Sequence, residues 1–303
     1  MMFYNLSSDA LPKTPCVLAL GFFDGVHRGH RQLLEAAICE ARSLGVRSGV
    51  FTFADNAASP YKSRARLGES DERLRLLAEC GVDDIYLADF AEIASTSPEE
   101  FVKETLQKKL CVKTAVCGFN FRFGKDAAGD ATLLRRLMKE AGGDAIVLPP
   151  VFFRESPISS SAIRTALEEG DVESANAMLG RIFSINFPVL HGKCLGRCLG
   201  APTINQYFPE GFILPAYGVY HCECLVDGIL YPAVTNVGVR PTVADNDAVS
   251  CETHIIGYRG WLYGKRIRVF FLRRLRDEMK FESVDALKAQ ISKDIDEVKR
   301  TYE

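Results

Sequence analysis

The apolar pattern of this chain changes character once, near residue 183, and that change limits the architecture more than any other feature. Before it, short apolar segments alternate with helical patterns. Cys16-Val17-Leu18-Ala19-Leu20 is followed by helical spacing from Arg28 to Ala41, with Leu33, Leu34, Ala37, Ile38 and Ala41 on one face. Further strands are predicted at Ser48 to Phe53, Asp84 to Leu87, Thr114 to Gly118 and Ala145 to Leu148, with helices at Asp71 to Cys80, Ser97 to Lys109 and Asp130 to Glu140 between them. This βαβα order predicts an α/β domain: a Rossmann-like parallel sheet with helices on both faces. After Phe183, glycine and proline punctuate the β-rich runs GVYHCECLVDG, YPAVTNVG, CETHIIGY and IRVFFLRRL, which predict a small antiparallel β-barrel. Helical spacing returns only from Ser283 to Lys299, as a terminal helix. At 303 residues two domains are the better prior, and the boundary is expected at 184/185.

Charge narrows the partners. A formal net charge of -2, with 25% charged residues, gives no electrostatic case for nucleic acid or lipid, so small-molecule substrates are expected without nucleic acid, membrane or obligatory protein partner. The segment MMFYNLSSDA lacks the basic and apolar regions of a secretion signal, and a cytoplasmic location is expected. Ten cysteines are scattered without a C-x-x-C pair. Cys222 and Cys224 alternate with His221 and Glu223, which favours small core residues over a metal-thiolate site.

The chemistry concentrates at Gly21 to Leu34, GFFDGVHRGHRQLL, where an apolar strand turns into a helix start. Unpaired N–H groups and the positive dipole end favour an anion there, Gly29 permits close approach, and His27 and His30 flank it. Gly21, Phe22 and Asp24 complete the candidate phosphate-binding turn, although Asp24-Gly25 is also a common turn pair with a purely conformational use. Imidazole donors in this H-x-G-H spacing suit nucleotidyl transfer, where charge builds on phosphate oxygens. A second anion pocket is predicted where Pro157-Ile158-Ser159-Ser160-Ser161 enters a helix: Ser160, Ser161 and the two-pronged Arg164 suit departing pyrophosphate, with simple serine N-capping as the alternative. Phe119, Phe121 and Phe123 read as strand packing before ring stacking on a ligand.

In order along the chain, GFFDGVHRGHRQLL, CGFNFRFGKDAAGD, ISSSAIRTALEEGDVESANAMLGR, GKCLGRCLGAPTIN, LPAYGVY, TNVGVRPTV, CETHI and LYGKRIRVFFLRRLRDEMKF resemble the bifunctional bacterial riboflavin kinase/FMN adenylyltransferase family over nearly the whole length. The resemblance implies an α/β nucleotidyltransferase domain at 1–184 and a riboflavin kinase domain at 185–303. It also implies riboflavin, FMN and ATP as substrates, FMN and FAD as products, and a requirement for Mg2+. Asn120 is implied to bind nucleotide or flavin phosphate, and Arg276 is a candidate for the flavin, with a solvated charge run as the alternative.

No G-x-x-x-x-G-K-[ST] loop occurs, so the kinase half must hold phosphate differently. Gly192, Gly196 and Gly200 with Lys193 and Arg197 offer N–H groups and positive charge to ATP, and Thr203 and Asn205 offer oxygen ligands for Mg2+. Glu252 is the candidate base for the ribityl hydroxyl, against the ordinary reading of a solvated strand glutamate. One departure stands out: where the family reads close to F-D-P-H-P, this chain has Phe53-Ala54-Asp55-Asn56-Ala57. That keeps open a riboflavin kinase whose adenylyltransferase half is impaired, and beside it a flavin- or nucleotide-sensing regulator without turnover.

Overall fold

Strand alternation sets the first half of the fold. In the computed structural model, which describes residues 1–54, 65–192, 200–239 and 249–302, every residue of β2 (Cys16–Leu20) is buried. Cys16, Leu18 and Leu20 pack on one face of a sheet, Val17 and Ala19 on the other. A strand covered on both faces belongs at the centre of a parallel sheet. The six strands are β1 (Met2–Asn5), β2, β3 (Arg47–Phe53), β4 (Asp84–Ala88), β5 (Val112–Gly118) and β8 (Asp144–Leu148), parallel in the order β1-β4-β3-β2-β5-β8. A small antiparallel pair, β6 (Arg122–Phe123) with β7 (Gly129–Asp130), follows β5 in the chain. Helices α1 (Arg28–Leu44) and α2 (Ser70–Glu79) bury Leu34, Ala37, Leu76 and Leu77 against one face. The opposite face receives Phe101, Leu106, Leu134 and Met138 from a π-type helix, Phe101–Lys109, and from α5 (Ala131–Glu140). The short helices α3 (Phe90–Ala94) and α4 (Pro98–Glu100) precede the π-type segment, whose last turn closes with a hydrogen bond from Leu110 N to Thr105 O.

The predicted strands and helices of this half are all present, with ends shifted by up to three residues. The edge strand β1 was not anticipated. Its four residues MFYN are mostly exposed, too few and too evenly wetted to show a period of two.

The chain separates into two compact units, Met1–Ser160 and Ser161–Glu303. Just before the division lies a two-residue hairpin, β9 (Phe152–Phe153) with β10 (Ser156–Pro157). The division falls one residue into α6 (Ser160–Glu169); the rest of α6 and α7 (Val172–Leu179) open the second unit, followed by an antiparallel six-stranded sheet curled into a half-barrel. Its strands are β11 (Phe183–Pro188), β12 (Thr203–Tyr207), β13 (Gly218–Val226), β14 (Ile229–Val239), β15 (Val249–Ile255) and β16 (Arg266–Arg276), in the order β11-β16-β13-β14-β15-β12. The two ends of that order approach each other at the Leu190–Asn205 bridge. Fully buried Gln206 strengthens the seam, its amide donating to Phe187 O at 2.7 Å and Ile267 O at 2.8 Å. Cys222, Cys224 and Cys251 fill the interior as buried, free thiols. Burial pushes the Cys251 thiol up to about 12, which keeps it protonated and inert.

The terminal helix α8 (Val284–Lys299), capped by Ser283, is fixed by a buried ion pair, Arg276 with Asp294 at 2.8 Å. Tyr302 just beyond it reaches His221 Nε2 at 3.1 Å and donates to Glu223 at 2.8 Å.

Candidate active sites

The turn between β2 and α1 is built under strain. Phe23 and Val26 both adopt left-handed backbone angles, φ 61 and 39, and for a β-branched residue that conformation is costly. Gly25, at φ 77, takes the third such position without penalty. Several contacts hold the turn. The Phe23 ring is buried, Thr52 Oγ1 donates to Phe22 O at 3.0 Å, the Asp24 carboxylate accepts from Leu67 N at 3.1 Å, and Ser160 Oγ donates to Asp24 O at 3.0 Å. Asp24 is therefore a buried brace between segments of the first unit.

His27 is the N-cap of α1: its Nδ1 accepts from His30 N at 3.3 Å. An accepting Nδ1 carries no proton, so Nε2 holds it and is a donor. The two imidazoles stack with centroids 3.6 Å apart and planes 15° from parallel, and the Phe23 ring meets His30 edge-on at 5.2 Å. A Cβ on Gly29 would lie 3.2 Å from His27 Cε1, so the bare glycine makes room for the imidazole. Arg164 lies buried one turn into α6; Ser160 is half-buried and Ser161 exposed. Asn120 is exposed just past the carboxyl end of β5, beside an equally exposed Phe119, whereas Phe121 and Phe123 join the core.

In the second unit, register assembles the site. Asn205 on β12 stands opposite Glu252 on β15, and Glu252 stands opposite Asn236 on β14, giving three polar side chains in a row across neighbouring strands. Glu252 shares the half-exposed face of β15 with His254, while Cys251 and Thr253 point into the barrel. Buried Asn205 closely abuts Gly192, where a Cβ would fall 2.5 Å from Asn205 Nδ2. Thr203, half-exposed two residues before Asn205, lines a pocket of about 280 Å³ with Thr253, Ile255, Tyr258, Trp261 and Tyr263. At its rim His191 stacks on Tyr263 at 4.0 Å. Gly200 sits at φ 80 next to this region, and Lys193, Gly196 and Arg197 lie outside the described residues, as do Asp55, Asn56 and Ala57. Arg276 is engaged by Asp294 through both Nε and Nη.

Neither the aromatic pocket nor Asn236 was anticipated. The signal for the pocket is present in GYRGWLYG, where three large rings fall within six residues between two strands. Asn236 becomes visible only through strand register, which single-strand alternation does not give.

Two arrangements thus stand on the two units: a strained helix start in a parallel sheet, and a row of oxygen-bearing side chains beside an aromatic pocket on a β half-barrel. The family model for FAD synthetase matches residues 10–162 and that for riboflavin kinase residues 179–302. The chain is 38% identical over 296 residues to the bifunctional riboflavin kinase/FMN adenylyltransferase of Escherichia coli K12, covering 96% of this chain and 93% of that one. It is 32% identical to its Bacillus subtilis namesake, covering 94% and 92%. A solved structure from Streptococcus pneumoniae, described as a macrolide-efflux protein, superposes with a TM-score of 0.88 at 31% identity and 99% coverage of both chains. Among the described residues no helix is long and apolar enough to cross a membrane. The chain belongs to the bifunctional riboflavin kinase/FMN adenylyltransferase family.

Proposed function

We propose that residues 1–184 transfer AMP from ATP to FMN, making FAD, and that residues 185–303 phosphorylate riboflavin to FMN. The observation that carries this reading is that each family-matched half holds its own polar constellation: the stacked His27/His30 pair at a helix start, and the Asn205–Glu252–Asn236 row on the half-barrel.

In the first half, an FMN phosphate oxygen attacks the α-phosphorus of ATP while the bond to the β-phosphate breaks and pyrophosphate leaves. FMN is already ionised, so alignment and charge stabilisation are the main tasks, and alignment supplies up to about 7–11 kcal/mol in favourable cases. His27 Nε2–H and His30 donate to the α-phosphate; Arg164, Ser160 and Ser161 take the departing pyrophosphate; Asn120 orients FMN. Gly21, Phe22, Asp24 and Gly29 shape the turn around the phosphates. In the second half, Glu252 accepts the proton of the terminal ribityl hydroxyl as its oxygen attacks the γ-phosphorus and ADP leaves.

The aromatic pocket beside Thr203 takes the adenine ring of ATP by stacking, and Gly192, Gly196 and Gly200 with Lys193 and Arg197 cradle its phosphates. Thr203 and Asn205, oxygen donors two apart on one strand, suit a hard cation and would hold Mg2+, which supplies charge neutralisation to the triphosphate. Arg276 contributes to flavin binding from the strand end that its ion pair with Asp294 holds in place. The protein acts in the cytoplasm on small molecules, without nucleic acid, membrane or obligatory protein partner.

The test is a product time course with riboflavin, ATP and Mg2+. FMN is expected to rise first and then convert to FAD. FMN that never converts would leave a riboflavin kinase with an impaired first half, and absence of both products would leave a non-catalytic regulator.

A further inference from the structure

A guanidinium lies buried between the end of β3 and the strained turn before α1. Arg73, on α2 and 5% exposed, donates from one Nη to Phe22 O at 2.8 Å and Thr52 Oγ1 at 2.9 Å. The other Nη donates to Phe53 O at 2.8 Å, and the guanidinium carbon lies 4.6 Å from the centre of the Phe22 ring. Fully buried Thr52 adds its own hydroxyl to Phe22 O.

Anchoring α2 alone does not require this arrangement. Its apolar face already packs Leu76 and Leu77 into the core, and an apolar side chain of similar volume is often as stabilising as a buried charge. The three acceptors named instead join the last residues of β3 to the carbonyl immediately before Phe23, the first left-handed residue of the turn. A conformation that L residues avoid persists only where its surroundings hold it. The fork of Arg73 is rigid and planar, so it fixes the separation of the Phe22 and Phe53 carbonyls in a way a flexible ammonium does not.

We propose that Arg73 is a positioning residue for adenylyl transfer. By clamping Phe22 and Phe53 it holds the turn in the one conformation that presents the His27 and His30 rings together. The inference rests on the reading of that turn as the adenylyl-transfer site. Since the clamp grips backbone carbonyls and a buried hydroxyl of the protein, its loss is expected to fall on kcat and to leave the ground-state affinity for ATP nearly intact.

The test uses full-length Arg73→Met, Arg73→Lys and Thr52→Val, with His30→Ala as control, assayed in the cold after thermal melts have shown each variant folded. For Arg73→Met, kcat for FMN to FAD is expected to fall about a hundredfold with KM for ATP changed less than about threefold, and riboflavin phosphorylation in the same sample unchanged. Arg73→Lys recovers about tenfold of the loss, Thr52→Val loses severalfold in kcat, and Arg73→Met combined with Thr52→Val is scarcely worse than Arg73→Met alone. Wild-type kcat in the Arg73 variants overturns the proposal, as does a loss that riboflavin phosphorylation shares. Should Arg73→Met fail to fold, Arg73→Lys and Thr52→Val decide: wild-type kcat in both refutes the clamp. FAD formation at the wild-type rate by His30→Ala would overturn the reading of the turn itself, whereas an inactive His30→Ala beside unimpaired Arg73 variants removes only the role given to Arg73.

Discussion

The two halves of this chain build their candidate phosphate sites in opposite ways. In the first, the main chain makes the site: a helix start offers N–H groups, and side chains such as Thr52, Asp24 and Arg73 brace the turn that carries it. In the second, side chains make the site, and the main chain contributes register by placing Asn205, Glu252 and Asn236 opposite one another. A site made from backbone depends on whatever fixes a turn. A site made from strand-borne side chains depends on their chemistry, because neighbouring hydrogen-bonded strands already fix their spacing.

Substitutions should expose this difference. The largest expected effect is at Glu252, where Glu252→Ala removes the proposed proton acceptor and should lower riboflavin phosphorylation about a thousandfold. Conversion of supplied FMN to FAD by the same variant should be unchanged, and parallel assays of the two reactions check it. Next comes His30→Ala, expected to lower FAD formation by about two orders of magnitude while leaving the kinase reaction intact, since one donor to developing phosphate charge is gone.

His27 sharpens the comparison because it caps α1 and is also proposed to donate to the phosphate. His27→Ala should lose about 1 kcal/mol of stability together with FAD formation, whereas His27→Asn restores the cap and the stability without restoring activity. Chemical denaturation read beside the FAD assay separates the two contributions.

Asp294→Ala tests the second half's support. It leaves Arg276 without its bidentate partner and should cost about 3 kcal/mol in a denaturant melt of the terminal helix.

The smallest effect is one of pH. Burial, reinforced by Arg273, lowers the His221 imidazole below its ordinary value, against the weaker opposing pull of Glu223 and Glu297. Because the unfolded state then takes up the proton first, this contribution is complete above pH of about 6.5 and is lost as pH falls below it. Denaturation midpoints should decline on acidification, and His221→Gln should flatten the decline.

Much of the fold was legible because burial on both faces of a parallel sheet leaves unmistakable apolar runs, as in Cys16–Leu20, and because Asp130 and Ser283 stand where caps belong. The histidine pair was legible from spacing alone, since three residues bring two side chains together over one helical turn. Its finer design was not. Gly29 reads as a gap for an approaching anion, and the structure adds that it clears space for the His27 ring. Arg73 reads in sequence as one more charge on an amphipathic helix, and only tertiary structure reveals the carbonyls it reaches from 20 and 51 residues away. Arg276 likewise sits in a charge-rich run that suggests solvent, yet most of its side chain is held against Asp294.

The central claim is that adenylyl transfer and phosphoryl transfer occupy separate sites in one chain, and a mixing experiment addresses it most directly. His30→Ala and Glu252→Ala are each incubated alone, and then together, with riboflavin, ATP and Mg2+. Neither variant alone should carry riboflavin through to FAD, while the mixture should do so, because one supplies the FMN that the other adenylylates. Full FAD synthesis by either variant alone, or loss of both partial reactions in one folded variant, would contradict two separate sites.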